Sequence, residues 1–336
     1  MTRKDVLKLV LKLLDKMPSW MVVTLCLLVT GVLTLYSLGM MGMLPFDLPG
    51  LDAVAAYTEP TQQSVSDSDT AADTTCQVHV IDVGQGDSIL ITTDESAVLI
   101  DAGETQYGEQ VVDYIKGLGI SQLDLVIATH PHSDHIGGLG AVLAQIKTKE
   151  LMMPELPENL IPTTSVYERM LDRMENHGID GVIAEPGLTY DLGSGTTLTV
   201  LGPVAEAASE GLYDNLNDYS VVCRVDCGER SFLFTGDMEV VAEDDLLQAG
   251  ADLDADVLKM GHHGSSTSSG GLFLDAVSPS AAAISCGKDN DYGHPHREIR
   301  AELEDRQIPS YRTDRSGSIL FTCDGKTITV ETEKEG

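Results

Sequence analysis

The sequence predicts an α/β protein in which two β-sheets are sandwiched between helices, in the order αββα, with one transmembrane helix before the sandwich. Two observations predict the sandwich: from Cys76 onward, groups of short apolar strands alternate with helical patterns, and the last two strands form a hairpin. A third observation predicts the transmembrane helix, because a stretch of 25 residues near the N-terminus contains no charged residue.

The first 75 residues divide into three predicted segments. Residues 1–19 form a basic cytoplasmic segment, residues 20–44 form the transmembrane anchor, and residues 45–75 form a flexible acidic linker. A cleaved signal peptide is the alternative to the anchor, but its apolar region would be shorter. Because five basic residues precede the anchor and only acidic residues follow it as far as Asp73, we expect a single-pass protein of the cell membrane, with the N-terminus in the cytoplasm and the domain 76–336 extracellular.

The charge of the chain limits its ligands. The formal net charge is −32, of which −29 belongs to residues 76–336. Broad nucleic-acid-binding surfaces are basic, so this charge disfavours a long duplex, although it allows a local phosphate site built on metal ions. The five cysteines after the anchor are odd in number and widely spaced, and no CxxC motif occurs, which disfavours a disulfide framework and a zinc–cysteine module.

Elements of the folded domain follow from hydrophobic periodicity and turn residues. Apolar runs predict strands at 76–83, 88–93, 97–103, 123–130, 196–203, 219–228, 231–237, 255–265 and 280–287, followed by a hairpin at 318–331. Helical spacing predicts helices at 107–119, 136–147, 164–178, 238–250, 270–277 and 297–308.

Histidines mark the ends of three predicted strands. Seven of the nine histidines lie in three clusters, namely His130, His132 and His135, then His262 and His263, then His294 and His296. In HPHSDH, His130 and His132 alternate along extended chain and project to one side, while Asp134 and His135 follow where the chain turns into a helix. Imidazole and carboxylate groups together suit zinc, manganese or iron, so these residues predict a metal site.

The motifs together resemble the metallo-β-lactamase fold superfamily. HxHxDH after a strand, the later aspartate of FLFTGD (Asp237) and a late histidine carry this resemblance. The finer set IDVGQGDS, LIDAG, THPHSDHIGG, DYSVVCRV, LKMGHHGSSTSS and ISCGKDNDYGHPH is similar to the hydrolase domain of ComEC-type competence proteins, over about residues 76–330. A similar signature occurs in an extracellular choline-phosphate esterase that acts on teichoic acids.

The resemblance implies a role for each polar residue of these motifs. One or two divalent ions, with Zn²⁺ expected first and Mn²⁺ as the alternative, would be bound by His130, His132, Asp134, His135, Asp237 and His294. The catalytic residues would be Asp134, His262 and His263, and one of these two histidines could instead be a ligand. Supporting or substrate-loop positions would be Asp82, Gln85, Asp87, Asp101, Asn217 and Ser220. Because no third histidine is available for the first metal, Asn217 or Ser220 occupies that region and this site is expected to be weaker.

The expected function is a membrane-anchored, extracytoplasmic, metal-dependent phosphodiesterase or nuclease, in which metal ions lower the pKa of a bound water to roughly 7. The expected substrate is single-stranded DNA or an envelope polymer. A part in DNA uptake would require a separate channel protein, because one helix does not form a channel. The alternatives are an envelope phosphoester hydrolase similar to the teichoic acid phosphorylcholine esterase, a β-lactam or lactone hydrolase, and a non-catalytic metal-binding module.

Overall fold

The computed structural model describes residues 76–204, 207–208 and 211–334. The cytoplasmic segment 1–19, the anchor 20–44 and the linker 45–75 that the sequence predicts lie outside these residues. Among the residues that are described, no helix combines the length and the apolar character needed to cross a membrane.

The strands of the described domain include every strand that the sequence predicts. They are β1 Cys76–Val80, β2 Ile89–Thr92, β3 Ala97–Ile100, β4 Gln122–Ile127, β5 Lys147–Met153, β6 Asp180–Ile183, β7 Thr189–Gly193, β8 Thr196–Gly202, β9 Val222–Cys227, β10 Arg230–Phe234, β11 Val257–Lys259, β12 Ala281–Ile284, β13 Ser310–Arg312, β14 Ile319–Cys323 and β15 Ile328–Thr332. The apolar runs of the sequence did not predict β5, β6, β7 and β13. These strands lack a long apolar run, since β6 and β7 are largely exposed, β13 has three residues, and Lys147 and Lys149 of β5 face solvent.

Every predicted helical segment contains a helix that is shorter than predicted, and one further short helix, at 313–316, lies in no predicted segment. The helices are α1 Gly108–Gly117, α2 Ser133–Ile136, α3 Leu139–Gln145, α4 Ser165–His177, α5 Val240–Ala249, α6 Gly271–Val277, α7 Arg297–Asp305 and α8 Thr313–Ser316. Helix α4 has a capping residue at each end. The hydroxyl of Thr164 accepts the N–H of Tyr167 at its start, and Gly178 ends it in the left-handed conformation.

The strands form two sheets that pack face to face between helices. One sheet has the order β15-β14-β1-β2-β3-β4-β5-β6, and the other has the order β13-β12-β11-β10-β9-β8-β7. Alternation along β10 shows the layering, because Phe232 and Phe234 point into the core between the sheets while Leu233 points to the core under the helices of the second sheet. The helices α1, α3 and α4 cover the outer face of the first sheet. The αββα sandwich predicted from the sequence is therefore confirmed.

Parallel pairing brings several strand ends to one edge of the sandwich. In the first sheet β3, β4 and β5 run parallel, and in the second sheet β10, β11, β12 and β13 run parallel. Loops at the carboxyl ends of parallel strands lie side by side, which is where α/β proteins bind ligands. The predicted histidine and aspartate clusters follow β4, β10, β11 and β12 and therefore lie at this edge.

Glu243 of α5 holds the loop that leads into α6. Its buried carboxylate accepts the N–H groups of Ser269 at 2.5 Å and of Gly270 at 2.9 Å. Burial raises the pKa of Glu243 to about 7, although these two hydrogen bonds act in the opposite direction. Glu243 is therefore a buried acid whose charge state changes near neutral pH.

We expect Glu243→Gln to change how stability depends on pH. The pKa of Glu243 in the folded chain lies above its ordinary value of 4.5, so folding favours the protonated form. The contribution of Glu243 to stability is therefore complete below about pH 4.5 and is lost as the pH rises through about 7. A pKa raised by this amount corresponds to about 3 kcal/mol.

Urea titrations at pH 5 and pH 8 test this expectation. The free energy of unfolding of Glu243→Gln, relative to that of the wild type, should rise by roughly 3 kcal/mol between the two pH values. Glu304→Gln, at an exposed position of α7, is the control and should show little pH-dependent difference. A difference between Glu243→Gln and the wild type that is the same at both pH values would contradict the assignment.

Candidate metal centre

The predicted site residues meet in a cavity of about 330 Å³ at the carboxyl edge of the two sheets. Its lining consists of polar, histidine and acidic side chains and one tyrosine: Gln85, His132, Ser133, Asp134, Asn217, Asp237, His262, His263, Tyr292 and His294. Two larger clefts, of about 590 and 580 Å³, contain no histidine in their linings. The chemistry of the side chains, and not cavity size, therefore identifies the candidate site.

His130 and His132 present two ring nitrogens to one point. His130 Nε2 lies 3.0 Å from His132 Nδ1, as expected for alternating residues on extended chain. The other ring nitrogen of His130 lies 3.1 Å from the hydroxyl of Thr129, so Nε2 is the atom that faces the cavity side. Two imidazole nitrogens this close can both bind one ion at the usual distance of about 2.0–2.1 Å.

A second group of ligand-type atoms surrounds Asp237. His135 Nε2 lies 3.2 Å from Asp237 Oδ1, and His263 Nε2 lies 3.4 Å from both Asp237 Oδ2 and Asp134 Oδ2. The atoms His135 Nε2, Asp237 Oδ1 and His263 Nε2 are buried without a hydrogen-bond partner in the described structure. A buried polar atom left unpaired costs about 1–3 kcal/mol, so three such atoms converging on one point fit the ligand set of a divalent cation.

The turn after β11 separates the two histidines of the GHHG motif. His262 and His263 both have left-handed backbone conformations, with φ of +48° and +55°, which cost about 1–3 kcal/mol each in a residue other than glycine. His263 is buried, and its Nδ1 donates to the carbonyl oxygen of Ser285 at 2.9 Å, which leaves Nε2 free as a ligand atom. His262 is partly exposed at the rim, and its Nδ1 lies 3.3 Å from Glu239 Oε1. The sequence left the roles of this pair open, and the structure places only His263 inside the group.

His294 lies on the wall of the cavity and is farther from Asp237 than His263 is. Its Nδ1 is 3.4 Å from Gln85 Nε2, and its ring centre is 6.2 Å from that of His263. The physical reason is strand order. His263 follows β11, which pairs directly with β10 and so lies beside Asp237, whereas His294 is carried on the loop after β12, one strand farther away. His263 is therefore added to the candidate ligand group, and a ligand role for His294 stays a prediction.

Asp101 fixes the histidine loop from behind, as the sequence analysis expected. Its carboxylate accepts His135 Nδ1–H at 2.7 Å, the Thr129 hydroxyl at 2.6 Å and the Thr129 N–H at 2.9 Å. Because His135 donates from Nδ1, its Nε2 is free to face Asp237. A carboxylate behind a metal-binding histidine sets both the tautomer and the direction of the ring.

The pKa values of the site histidines are shifted in opposite directions in two parts of the site. Burial alone would lower the pKa of His135 and of His263, but the neighbouring carboxylates, Asp237 foremost, raise the pKa of both well above the ordinary range. Burial lowers the pKa of His130 and of His132, which keeps these rings neutral. Neutral imidazole is the form that binds metal, and the carboxylates that favour a proton on His135 and His263 also favour a metal cation in its place.

Asp87 and Lys259 form a fully buried ion pair beside this group. Asp87 is near enough to join His135, Asp237 and His263 in a set whose ligand atoms lie within 4.8 Å of one another. However, its Oδ2 lies 2.8 Å from Lys259 Nζ and its Oδ1 lies 3.3 Å from His263 Nδ1. Burial would raise the pKa of Asp87, but Lys259 and then His263 lower it to about 2. Asp87 therefore contacts His263 from behind, and Asp134 Oδ2, 3.4 Å from His263 Nε2, is the second candidate carboxylate ligand beside Asp237.

Lys259 is a residue that the sequence analysis missed. The sequence does show a single lysine within the apolar run 257–260. It does not show which carboxylate would pair with that lysine.

Ser220 lies beside His130, and Asn217 lines the same cavity as His132. Ser220 Oγ is 3.4 Å from His130 Nδ1 and accepts the N–H of Asp237 at 3.1 Å, so it is a positioning group. Asn217 lines the cavity, donates from Nδ2 to Glu239 at 3.2 Å, and keeps a buried Oδ1 without a partner among the described residues. Of these two residues, Asn217 is the one that offers a free oxygen.

Gln85 lines both the metal cavity and the neighbouring cleft, whereas Asp82 lines only the cleft. Gln85 lines the metal cavity and accepts the N–H of Gly287 at 3.1 Å. Asp82 accepts the N–H of Gly84, lies 3.8 Å from Lys334 Nζ and lines the neighbouring cleft instead. The structure therefore brings Gln85 to the site but leaves Asp82 outside it.

Comparison with known proteins shows the family of the chain. A profile of the Metallo-beta-lactamase superfamily matches residues 81–288. ComE operon protein 3 of Bacillus subtilis (strain 168) is 32% identical over 264 residues, covering 73% of this chain and 33% of that protein. Competence protein ComA of Neisseria gonorrhoeae is 33% identical over 246 residues, covering 73% of this chain and 32% of that protein. The chain spans about a third of the length of these curated relatives.

Among solved structures, the metallo-beta-lactamase fold protein YhfI from Bacillus subtilis superposes with a TM-score of 0.49 at 14% identity, covering 74% of this chain and 100% of that chain. The family match covers the strands and loops that carry Asp87, Asp134, Asp237 and His263. The resemblance inferred from the sequence motifs is confirmed, and the chain belongs to the metallo-beta-lactamase superfamily.

Proposed function

We propose that this protein is a metal-dependent phosphodiesterase that cleaves single-stranded nucleic acid or short phosphodiesters. The observation that carries the proposal is the convergence of buried, unpartnered atoms of His135, Asp237 and His263 beside the paired nitrogens of His130 and His132. Relatives named for competence support a DNA-related phosphodiester as the substrate.

The side chains divide into two sets of ligands that share one carboxylate. His130 Nε2 and His132 Nδ1 would hold one divalent ion, and Asp134, His135 and His263 would hold a second, with Asp237 between the two. Bound ions would neutralise a phosphate and lower the pKa of water to about 7. His262, partly exposed beside this group, is positioned to contact the substrate and to give a proton to the leaving oxygen.

The absence of cationic side chains from the cavity lining supports a small or single-stranded substrate. The lining residues include no lysine and no arginine, so the ions would be the main positive charges that a phosphate meets. The formal charge of −29 on residues 76–336 repels a long duplex, whose binding depends on many phosphate contacts.

The full-length chain should be assayed after chelation and again after addition of Zn²⁺ or Mn²⁺. The substrates are single-stranded DNA, bis-p-nitrophenyl phosphate, p-nitrophenyl phosphorylcholine and a chromogenic cephalosporin. We expect hydrolysis of the first two, lost on chelation and restored by metal. Turnover of only the cephalosporin or only the phosphorylcholine ester would contradict the nuclease proposal. Bound metal without turnover of any substrate would favour a non-catalytic binding module.

We also propose that the domain lies outside the cell, held by the predicted anchor 20–44, because basic residues precede that segment and acidic residues follow it. Protease added to intact cells should then remove the domain and leave the anchor. Complete protection of the domain would contradict this orientation.

A further inference from the structure

Tyr292 is an exposed aromatic side chain at the mouth of the metal cavity. Its side chain is 67% exposed, although it lines the same cavity as Asp237 and His263. Aromatic residues make up only 5% of the chain, and Tyr292 is the single aromatic among the large apolar side chains that are exposed in the described residues. An exposed tyrosine alone is ordinary. The inference therefore depends on where Tyr292 lies and on the contacts that hold its ring in place.

The ring of Tyr292 is held as a platform with one face covered. It stacks on the ring of His294, with the ring centres 5.5 Å apart and an angle of 22° between the planes. The Tyr292 carbonyl oxygen accepts from His296 Nε2 at 3.1 Å. Asn290 clamps His294, because its side chain accepts the His294 N–H at 2.9 Å and donates to the His294 carbonyl oxygen at 2.7 Å. The platform is therefore ordered before any substrate binds, which reduces the entropy that binding would cost.

Apart from Tyr292, the cavity has few side chains that could bind the part of a substrate next to the scissile phosphate. Its lining contains no lysine or arginine, and its amides, Gln85 and Asn217, are partly engaged by protein groups. Affinity for a neighbouring group must therefore come from a non-ionic contact. Nucleobases stack on aromatic side chains whatever their sequence, whereas a polyol phosphate has no aromatic face.

We propose that Tyr292 stacks against a nucleobase next to the scissile phosphate, so that the substrate of this site is a nucleotide polymer or ester and not a polyol phosphate. The inference rests on the proposed phosphodiesterase function and specifies its substrate class. His294 acts in this arrangement as the support of the platform, which gives this histidine a role on the cavity wall.

The test compares two single strands with equal numbers of phosphates, one of thymidylate and one of abasic residues. The full-length, metal-loaded chain is measured as wild type, Tyr292→Leu and Tyr292→Phe. We expect the wild type to favour the thymidylate strand in kcat/KM by about tenfold or more, with most of the preference in KM. Tyr292→Leu should bring the ratio of the two strands close to one, and Tyr292→Phe should retain the preference because it keeps the ring.

Melting temperature and bound metal of each variant show whether Tyr292→Leu has altered the fold or the ligand group. Cleavage of both strands with the same ratio in the wild type and Tyr292→Leu would overturn the stacking inference alone. Preference for the abasic strand, as a polyol phosphate hydrolase would show, would also overturn it. Cleavage of neither strand would overturn the proposed function and this inference with it.

Discussion

Asp237→Ala is expected to abolish hydrolysis of a phosphodiester while most of the fold is retained. Asp237 lies between His135 and His263, and its Oδ1 is buried without a hydrogen-bond partner among the described residues. Alanine removes the one carboxylate that both proposed ion positions share, so activation of water and placement of the phosphate fail together. The loss should exceed the roughly 10–100-fold that follows removal of a supporting group behind a ligand.

Asp101→Asn is the matched comparison, because Asp101 is also buried and contacts His135 from behind. Turnover, bound metal and melting temperature are measured on both variants. The rival interpretation makes Asp237 a cap of α5, in which case alanine would cost only about 1 kcal/mol and leave activity intact. The helix begins at Val240 with Glu239 as its N-cap, which is against that interpretation. Near-normal turnover with unchanged metal content in Asp237→Ala would defeat the shared-ligand proposal.

Lys259→Met is expected to cause a large loss of stability, of about 3–5 kcal/mol in the free energy of unfolding. Lys259 and Asp87 are fully buried and form an ion pair at 2.8 Å. Methionine preserves much of the volume of the lysine side chain but leaves the Asp87 carboxylate buried without its main cation. The cost is that of an uncompensated charge in a medium of low polarity.

Lys149→Met is the control, because Lys149 also pairs with an aspartate, Asp124, at 2.6 Å, but its side chain is 57% exposed. An exposed ion pair contributes little, so this variant should unfold close to the wild type in urea. The double variant Asp87→Asn, Lys259→Met should recover part of the loss, since it removes both charges. Equal free energies of unfolding for Lys259→Met and Lys149→Met would show that the buried ion pair contributes no more to stability than the exposed one.

The first cluster of the site could be predicted because its geometry is local. His130, His132 and His135 lie within six residues, and an extended segment that turns into a helix converges them whatever the rest of the chain does. The role of Asp237 was implied by the resemblance to the metallo-β-lactamase fold, and its place after an apolar strand agrees with strand ends meeting at one edge. The four missed strands β5, β6, β7 and β13 lack a long apolar run, and hydrogen bonding to neighbouring strands holds them in place.

By itself, the sequence determined the αββα order of elements, the superfamily and the local HxHxDH cluster, since these depend on periodicity and short spacing. Only the tertiary structure decided which distant residues complete the site. His263 reaches Asp237 because β11 is the neighbour of β10 and because the left-handed turn at His262 and His263 directs one ring inward. Contacts between residues far apart in sequence depend on strand order and on backbone turns. Hydrophobic periodicity along the chain does not reveal either of these.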